Sequence, residues 1–393
     1  MSRLSLRAHF FLQLLKKARF GTLEVEFPDG KKEVFGEGRP LIRTQVKTWE
    51  VFDLLFTKGD LGLSESIIDG DLVVDDVAAL VEWACKNDQA LGQVVYGSWY
   101  GTFLDRLRHF LNRNTKRQAK KNIHSHYDLG NEFYKLWLDP TMTYSSALFS
   151  EKAEAGELMK AQLEKYDRII DALDIRSGDR VLEIGCGWGG FFSRAVERKD
   201  CHVTAVTISS SQAAFDEAKI EKQGMRKNVS LLKTDYRDIQ GQFDKVVSIE
   251  MIEAVGEQYW GQFFGKVSSS LRSKGSAMIQ GITIREDLFY SYRKNTDFIQ
   301  QYVFPGGMLL TNKVFEDQSR QNEMRMAAVF EFGSSYAETL KQWRDNFQRK
   351  AREVQALGFD DRFMRLWNLY LSYCEGAFRA GRINVGQFEL ERI

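Results

Sequence analysis

The chain has 393 residues, room for about two domains. Apolar and charged fractions of 43% and 28% are those of a folded globular protein and exclude a disordered one. A formal net charge of +1 excludes a generally nucleic-acid-binding surface, so any anionic partner must meet a local patch.

In chain order, Met1 to Phe20 mixes Arg3, Arg7, Lys16, Lys17 and Arg19 with Leu and Phe. Its apolar core, Phe10 to Leu15, is too short for a signal segment or a membrane span. A surface helix is expected, with an interfacial amphipathic helix as the alternative. Thr22–Phe27 alternates, Pro28 to Gly30 supplies a turn, and Lys31–Phe35 returns as a hairpin partner. Asp76 to Cys85 reads as a helix with Val77, Leu80, Val81 and Ala84 on one face. A small α+β domain over 1–110 is expected, then a basic linker over 111–122. The basic run from Arg106 to Lys121 holds Arg106, Arg108, Arg113, Lys116, Arg117, Lys120 and Lys121 without an acidic residue. It reads either as a solvated connection or as a contact for anionic lipid headgroups.

From about Ile123 strands and helices alternate to the end, giving a second domain over 123–393. Strands are expected at Val181–Ile184, Val203–Ile208, Val229–Thr234, Lys245–Ile249 and Ser276–Ile284. Helices are expected over Ser211–Lys222, Tyr259–Leu271, Tyr336–Leu357 and Asp361–Gly381, before a last extended stretch. The order predicts an α/β fold, a mostly parallel sheet with helices on both faces. Cys85, Cys186, Cys201 and Cys374 are scattered, so neither a disulfide framework nor a metal site is expected and a reducing cytosol suits them. No apolar run reaches the length of a bilayer span, so the expectation is a soluble or peripheral protein.

The strongest local motif is Val181 to Gly190, a buried-type strand running into Gly185-Cys186-Gly187-Trp188-Gly189-Gly190. Such glycines let a ligand approach the backbone, and the following helix N-terminus offers amides to a carboxylate. The third glycine comes too early for a dinucleotide fingerprint. At the next strand ends stand Thr207-Ile208-Ser209 with Gln212, suited to ribose hydroxyls, and Asp235-Tyr236-Arg237, suited to an adenine amine. Each is equally readable as helix capping.

With Glu183 inside the strand, the segment resembles class I methyltransferases, whose Rossmann-like sheet binds S-adenosylmethionine at this loop. Over nearly its whole length the sequence resembles cyclopropane-fatty-acyl-phospholipid synthases. The resemblance rests on His126 to Asn131, Leu138-Asp139-Pro140 through Tyr144-Ser145, the glycine loop and Thr207 to Ser209. It continues through Asp235 to Asp238, Phe304-Pro305-Gly306-Gly307 and Gly376 to Arg379. Gly59 to Gly62 and Asp69 to Asp71 resemble the family's N-terminal lipid-associated domain.

The resemblance implies methyl transfer to the cis double bond of an unsaturated phospholipid acyl chain through a carbocation, closing a cyclopropane. The alternatives are a methyl- or methylene-branched chain, or a soluble hydrophobic substrate. It also implies peripheral attachment at the inner membrane face and a homodimer, and it carries Tyr127, Tyr144 and Ser145 to the cofactor. A dry, π-rich site suits a cation, and Phe289, Tyr290, Tyr292, Phe298, Tyr302 and Phe304 supply such faces, if they are not simply core.

In the family a bicarbonate ion is thought to be the base. The resemblance carries its holders to Glu253, Tyr336, Ser146 and Gln280, the last two standing where relatives have cysteine and histidine. Ala254 replaces a further histidine. Gln280 still donates an N–H but cannot gain a proton. Cys374 aligns with a cysteine often treated as catalytic, although a small buried hydrophobe is the simpler reading.

Overall fold

The computed structural model describes residues 6–89, 91, 129–150 and 157–393. The linker 111–122, the basic run from Arg106 to Lys121 and the motif residues His126, Tyr127 and Asp128 lie outside them. The chain divides into two units, each with its own sheet or helix pairing.

The first unit takes its described residues from Met1–Leu111, Tyr290–Pro305 and Trp343–Arg382. Strands β1 (Gly21–Glu26) and β2 (Lys32–Glu37) form the expected hairpin, pairing Gly21 with Glu37 and Glu26 with Lys32. Strand β3 (Leu41–Val46) runs parallel to β1, and β4 (Leu72–Val74) runs antiparallel to β3. The helix Val77–Lys86 starts where Asp76 accepts a hydrogen bond from the Ala79 N–H at 2.9 Å. It buries Val77, Leu80 and Val81, the face set by its periodicity.

The expected single stretch 123–393 is therefore interrupted. The helix Asp361–Arg379 packs against Val77–Lys86 so closely that a Cβ on Gly376 would meet the Ala78 carbonyl oxygen at 2.5 Å. Phe298 stacks near Tyr302 and Tyr373, with centroids 5.7 and 5.6 Å away, and Phe304 meets Tyr370. Of these three aromatics Phe298 is fully buried in the first unit and Tyr302 and Phe304 are half-buried, while Tyr290 is 68% exposed. Spacing alone cannot tell a tertiary partner that lies some 300 residues away in sequence.

The second unit is built on a seven-stranded sheet of order β10-β11-β9-β8-β5-β6-β7. Strands β5 (Arg180–Ile184), β6 (His202–Thr207), β7 (Val229–Lys233), β8 (Phe243–Ile249) and β9 (Leu271–Ile284) are parallel. Strand β11 (Ile383–Arg392) runs antiparallel to both β9 and β10 (Met324–Glu331), so the sheet is mixed at one edge. Helices flank it. Ile169, Ile170 and Leu173 of one flank join Phe191, Phe192 and Ala195 of another around Val181 and Val203. The helix expected over Tyr336–Leu357 is two helices, Gly333–Arg349 and Ala351–Ala356. Among the described residues no helix is long and apolar enough to cross a membrane.

Candidate active site

The glycine loop leaves β5 at the carboxyl end of the parallel strands, where open α/β sheets collect ligands. The Gly185 and Cys186 N–H groups both donate to the Val206 carbonyl, at 2.9 and 3.0 Å, pinning the loop to β6. Gly189 has a φ of +74°, and a Cβ there would meet the Phe192 ring at 2.3 Å. Gly187 has a φ of +57° and nothing within 4 Å of where a Cβ would stand. Its backbone is thus left open for a ligand to approach, which fits a cofactor cradle.

The loop is braced on one side by aromatics. The Trp188 indole N–H donates to Asn131 Oδ1 at 2.9 Å, and the Tyr134 ring lies 4.8 Å away. Tyr144 packs on Tyr134 and Trp137. On the other side Lys219 donates to the Trp188 and Gly189 carbonyls at 3.1 and 3.0 Å. Beneath the loop, Glu183 Oε2 and Asp216 Oδ1 are buried polar atoms without a hydrogen-bond partner. Burial pushes the Glu183 carboxyl well above its ordinary value and Asp216 to about 8, while Cys186 donates its thiol to Asp216.

The strand-end residues are ordered by one another. Thr207 donates to Gln212 Oε1 at 2.9 Å, and Ser209 caps the helix Ser210–Lys222 by accepting from the Gln212 N–H. Asp235 receives a two-point hydrogen bond from Arg237, at 2.7 and 2.6 Å, and sits beside Tyr236. The capping reading is realised at Ser209 and Asp235. The Arg237 backbone N–H adds a third hydrogen bond, to Asp235 Oδ1 at 3.0 Å.

Next to this cradle is a second group of polar residues, organised around Glu250. This residue follows β8 directly and has a φ of +49°, in the left-handed region that favours glycine. Its Oε1 accepts from the Ser146 N–H and from Gln280 Nε2, both at 2.8 Å, and its Oε2 accepts from the Tyr336 hydroxyl at 2.5 Å. Burial raises the Glu250 carboxyl, opposed by the Tyr336 hydrogen bond and by the charge of Lys165. Lys165, wholly buried, donates to Ser145 Oγ at 2.6 Å and Gln162 Oε1 at 2.8 Å.

Ser146, Gln280 and Tyr336 thus converge on Glu250 rather than around Glu253. Glu253 Oε1 accepts from the Ile282 N–H at 2.5 Å, and its Oε2 is buried without a partner. Burial, with Glu250's charge second, pushes Glu253 up to about 8. Its carboxyl therefore keeps a proton more readily than an ordinary glutamate does. The donor set expected to hold bicarbonate is filled by a side chain of the chain itself, so it does not fit a separate bicarbonate ion.

The match to known proteins follows the same site. The family model for mycolic acid cyclopropane synthetase covers residues 114–388. The chain belongs to this family. It is 36% identical over 327 residues to the tuberculostearic acid methyltransferase UfaA1 of Mycobacterium tuberculosis, covering 79% of this chain and 76% of that one. It is 33% identical over 359 residues to the cyclopropane-fatty-acyl-phospholipid synthase of Escherichia coli, covering 88% and 87%. The solved cyclopropane synthase CmaA1, complexed with SAH and CTAB, superposes with a TM-score of 0.65 at 28% identity, over 70% of this chain and 98% of that one. As a member of this family, the chain is an S-adenosylmethionine-dependent methyltransferase of class I fold that transfers methyl groups to double bonds of lipids.

Of the residues expected at the site, Tyr127 lies outside the described ones. Cys374 belongs to the first unit, on the helix Asp361–Arg379. Burial holds its thiol far above the ordinary range, so it is a poor thiolate. Sequence reasoning missed Glu250, Lys165, Asp216 and Lys219. For Glu250 a signal existed: an acidic residue directly after the apolar strand Val246 to Ile249, at the end where ligands gather.

Proposed function

We propose that the chain methylates the cis double bond of an unsaturated acyl chain in membrane phospholipid and releases a ring-free, methylene-branched chain. S-adenosylmethionine, when bound, supplies the electrophilic methyl group. The alkene electron pair forms the new carbon–carbon bond as the carbon–sulfur bond breaks, which leaves a cation on the neighbouring chain carbon. The open backbone at Gly187 and the aromatic group of Tyr134, Tyr144 and Trp188 are suited to seat the methyl donor.

Glu250 carries this reading. It occupies the donor set of Ser146, Gln280 and Tyr336, so the proton acceptor is a tethered carboxylate. Both its oxygens are committed to donors, so the carboxyl is held in one place. Closing a ring requires proton loss from the new methyl before a hydride moves along the chain. A base fixed in one place lets the hydride shift to the more substituted cation come first. Proton loss from the methyl to Glu250 then leaves a methylene branch. The relative named as a tuberculostearic acid methyltransferase supports this, because its name states methylation of a fatty acid.

The N-terminal unit and the basic run from Arg106 to Lys121 support peripheral binding to an anionic membrane surface, where each basic residue contributes about 1 kcal/mol. The test is product analysis. Vesicles of cis-unsaturated phospholipid and methyl-labelled S-adenosylmethionine are incubated with the enzyme, and the fatty acids are analysed by mass spectrometry. Label in ring-free branched chains is expected; label in cyclopropane chains overturns the assignment.

A further inference from the structure

Behind Glu250 and its donor Gln280 lie two further side chains that the reaction above does not employ. Gln280 and Gln387 are directly opposite one another on β9 and β11, and both are buried. Arg168, on the helix Leu158–Ala172, donates from Nη1 to Gln387 Oε1 at 2.6 Å. Gln387 Nε2 donates to Gln280 Oε1 at 3.0 Å, with the Lys165 carbonyl also at 3.5 Å. Gln280 Nε2 then donates to Glu250 Oε1 at 2.8 Å.

The direction of this chain is fixed by chemistry. A guanidinium only donates, so Gln387 must turn its oxygen to Arg168 and its NH2 group inward. Gln280 must then turn its own oxygen to Gln387 and its NH2 to Glu250. A carboxylate accepts at the far end. Reversing either amide would set donor against donor.

We propose that Arg168, Gln387 and Gln280 form a one-way hydrogen-bond relay that holds Glu250 ionised as proton acceptor, with Arg168 and Gln387 as positioning residues. The inference rests on the reading of Glu250 as the base. Hydrogen bonds in series polarise one another in a low-dielectric interior, and donation to the charged form stabilises it. A histidine at position 280 would titrate; an amide does not, so the relay keeps one polarity across the working pH range.

Among the described residues, the following charged and titratable groups act around the base. Lys165 lies on the same helix as Arg168, beside Ser145, and Tyr166, Tyr336 and Glu253 also act on or near Glu250. Asp139 and Glu183 act on Lys165, and Glu389 acts on Arg168. The Arg168 guanidinium rests 3.9 Å from the centroid of Phe330, which holds its stem in place.

The test measures turnover against pH for the full-length enzyme, with methyl-labelled S-adenosylmethionine and dioleoyl phosphatidylglycerol vesicles. Loss of the relay leaves Glu250 protonated to higher pH. Gln387→Leu and Arg168→Met are therefore expected to move the acid limb up by about one pH unit, with the KM for S-adenosylmethionine unchanged. Arg168→Lys, which restores a cationic donor, is expected to return the limb toward the parent's. Profiles that superimpose on the parent's overturn the relay. If Gln387→Leu does not fold, Arg168→Met, at a half-buried site, decides the matter alone. Glu250→Gln separates the two ideas: full turnover there refutes the base itself, whereas its loss beside unshifted relay variants refutes only the relay.

Discussion

A glutamate in left-handed backbone conformation costs on the order of 1 kcal/mol more than a glycine would. Glu250 keeps that conformation, and its carboxylate meets three donors that the sequence motifs had already placed together. Replacing it with glutamine keeps the shape and removes the base. Turnover of Glu250→Gln should fall by about 10²–10⁴-fold, while S-adenosylhomocysteine binding by calorimetry stays near the parent's. Cys374→Ser should turn over at nearly the parent rate, because nothing in the chemistry uses a thiolate and desolvation holds the thiol protonated; a large loss would return Cys374 to the mechanism. At this scale Ser146, Gln280 and Tyr336 were legible because family motifs carry them. Glu250 was not. The motif points to Glu253, and only the turn after β8 shows which of two nearby glutamates faces the donors.

Among the elements, β5 to β9 could be read from short buried runs, and the hairpin of β1 and β2 from its turn. Strand β10 could not. Exposed and half-buried residues alternate irregularly along it and its pairing is broken by a bulge between Met326 and Ala328, so it lacks a clean alternation. The two-unit division was only partly legible, since the partner of the helix Asp361–Arg379 is the distant helix Val77–Lys86. At Gly376 the two helices come close enough that a Cβ would meet the Ala78 carbonyl oxygen at 2.5 Å. Gly376→Val forces a side chain against the Ala78 carbonyl and should destabilise the protein by about 1–3 kcal/mol, read as a lower denaturant midpoint. An unchanged midpoint would mean that the helices do not pack this way in solution.

Over the whole molecule, the buried carboxyls have a shared consequence for stability. Burial raises Asp60 to about 7, Asp297 to about 6, and Asp216 and Glu253 to about 8. Each holds a proton in the folded state that the unfolded chain has already released. Their contribution is complete below the ordinary carboxylate range and is lost as pH rises through these values. The melting temperature should therefore fall between about pH 5 and about pH 8; a rise across that window would show these carboxyls to be ionised in the fold.

The central claim is that this enzyme carries its own base where the family resemblance implies a bicarbonate ion. Turnover measured in carbon-dioxide-free buffer, with and without added bicarbonate, tests it most directly. Equal rates are predicted, since Glu250 fills the donor set. A rate that collapses without bicarbonate and recovers on its addition would contradict the account.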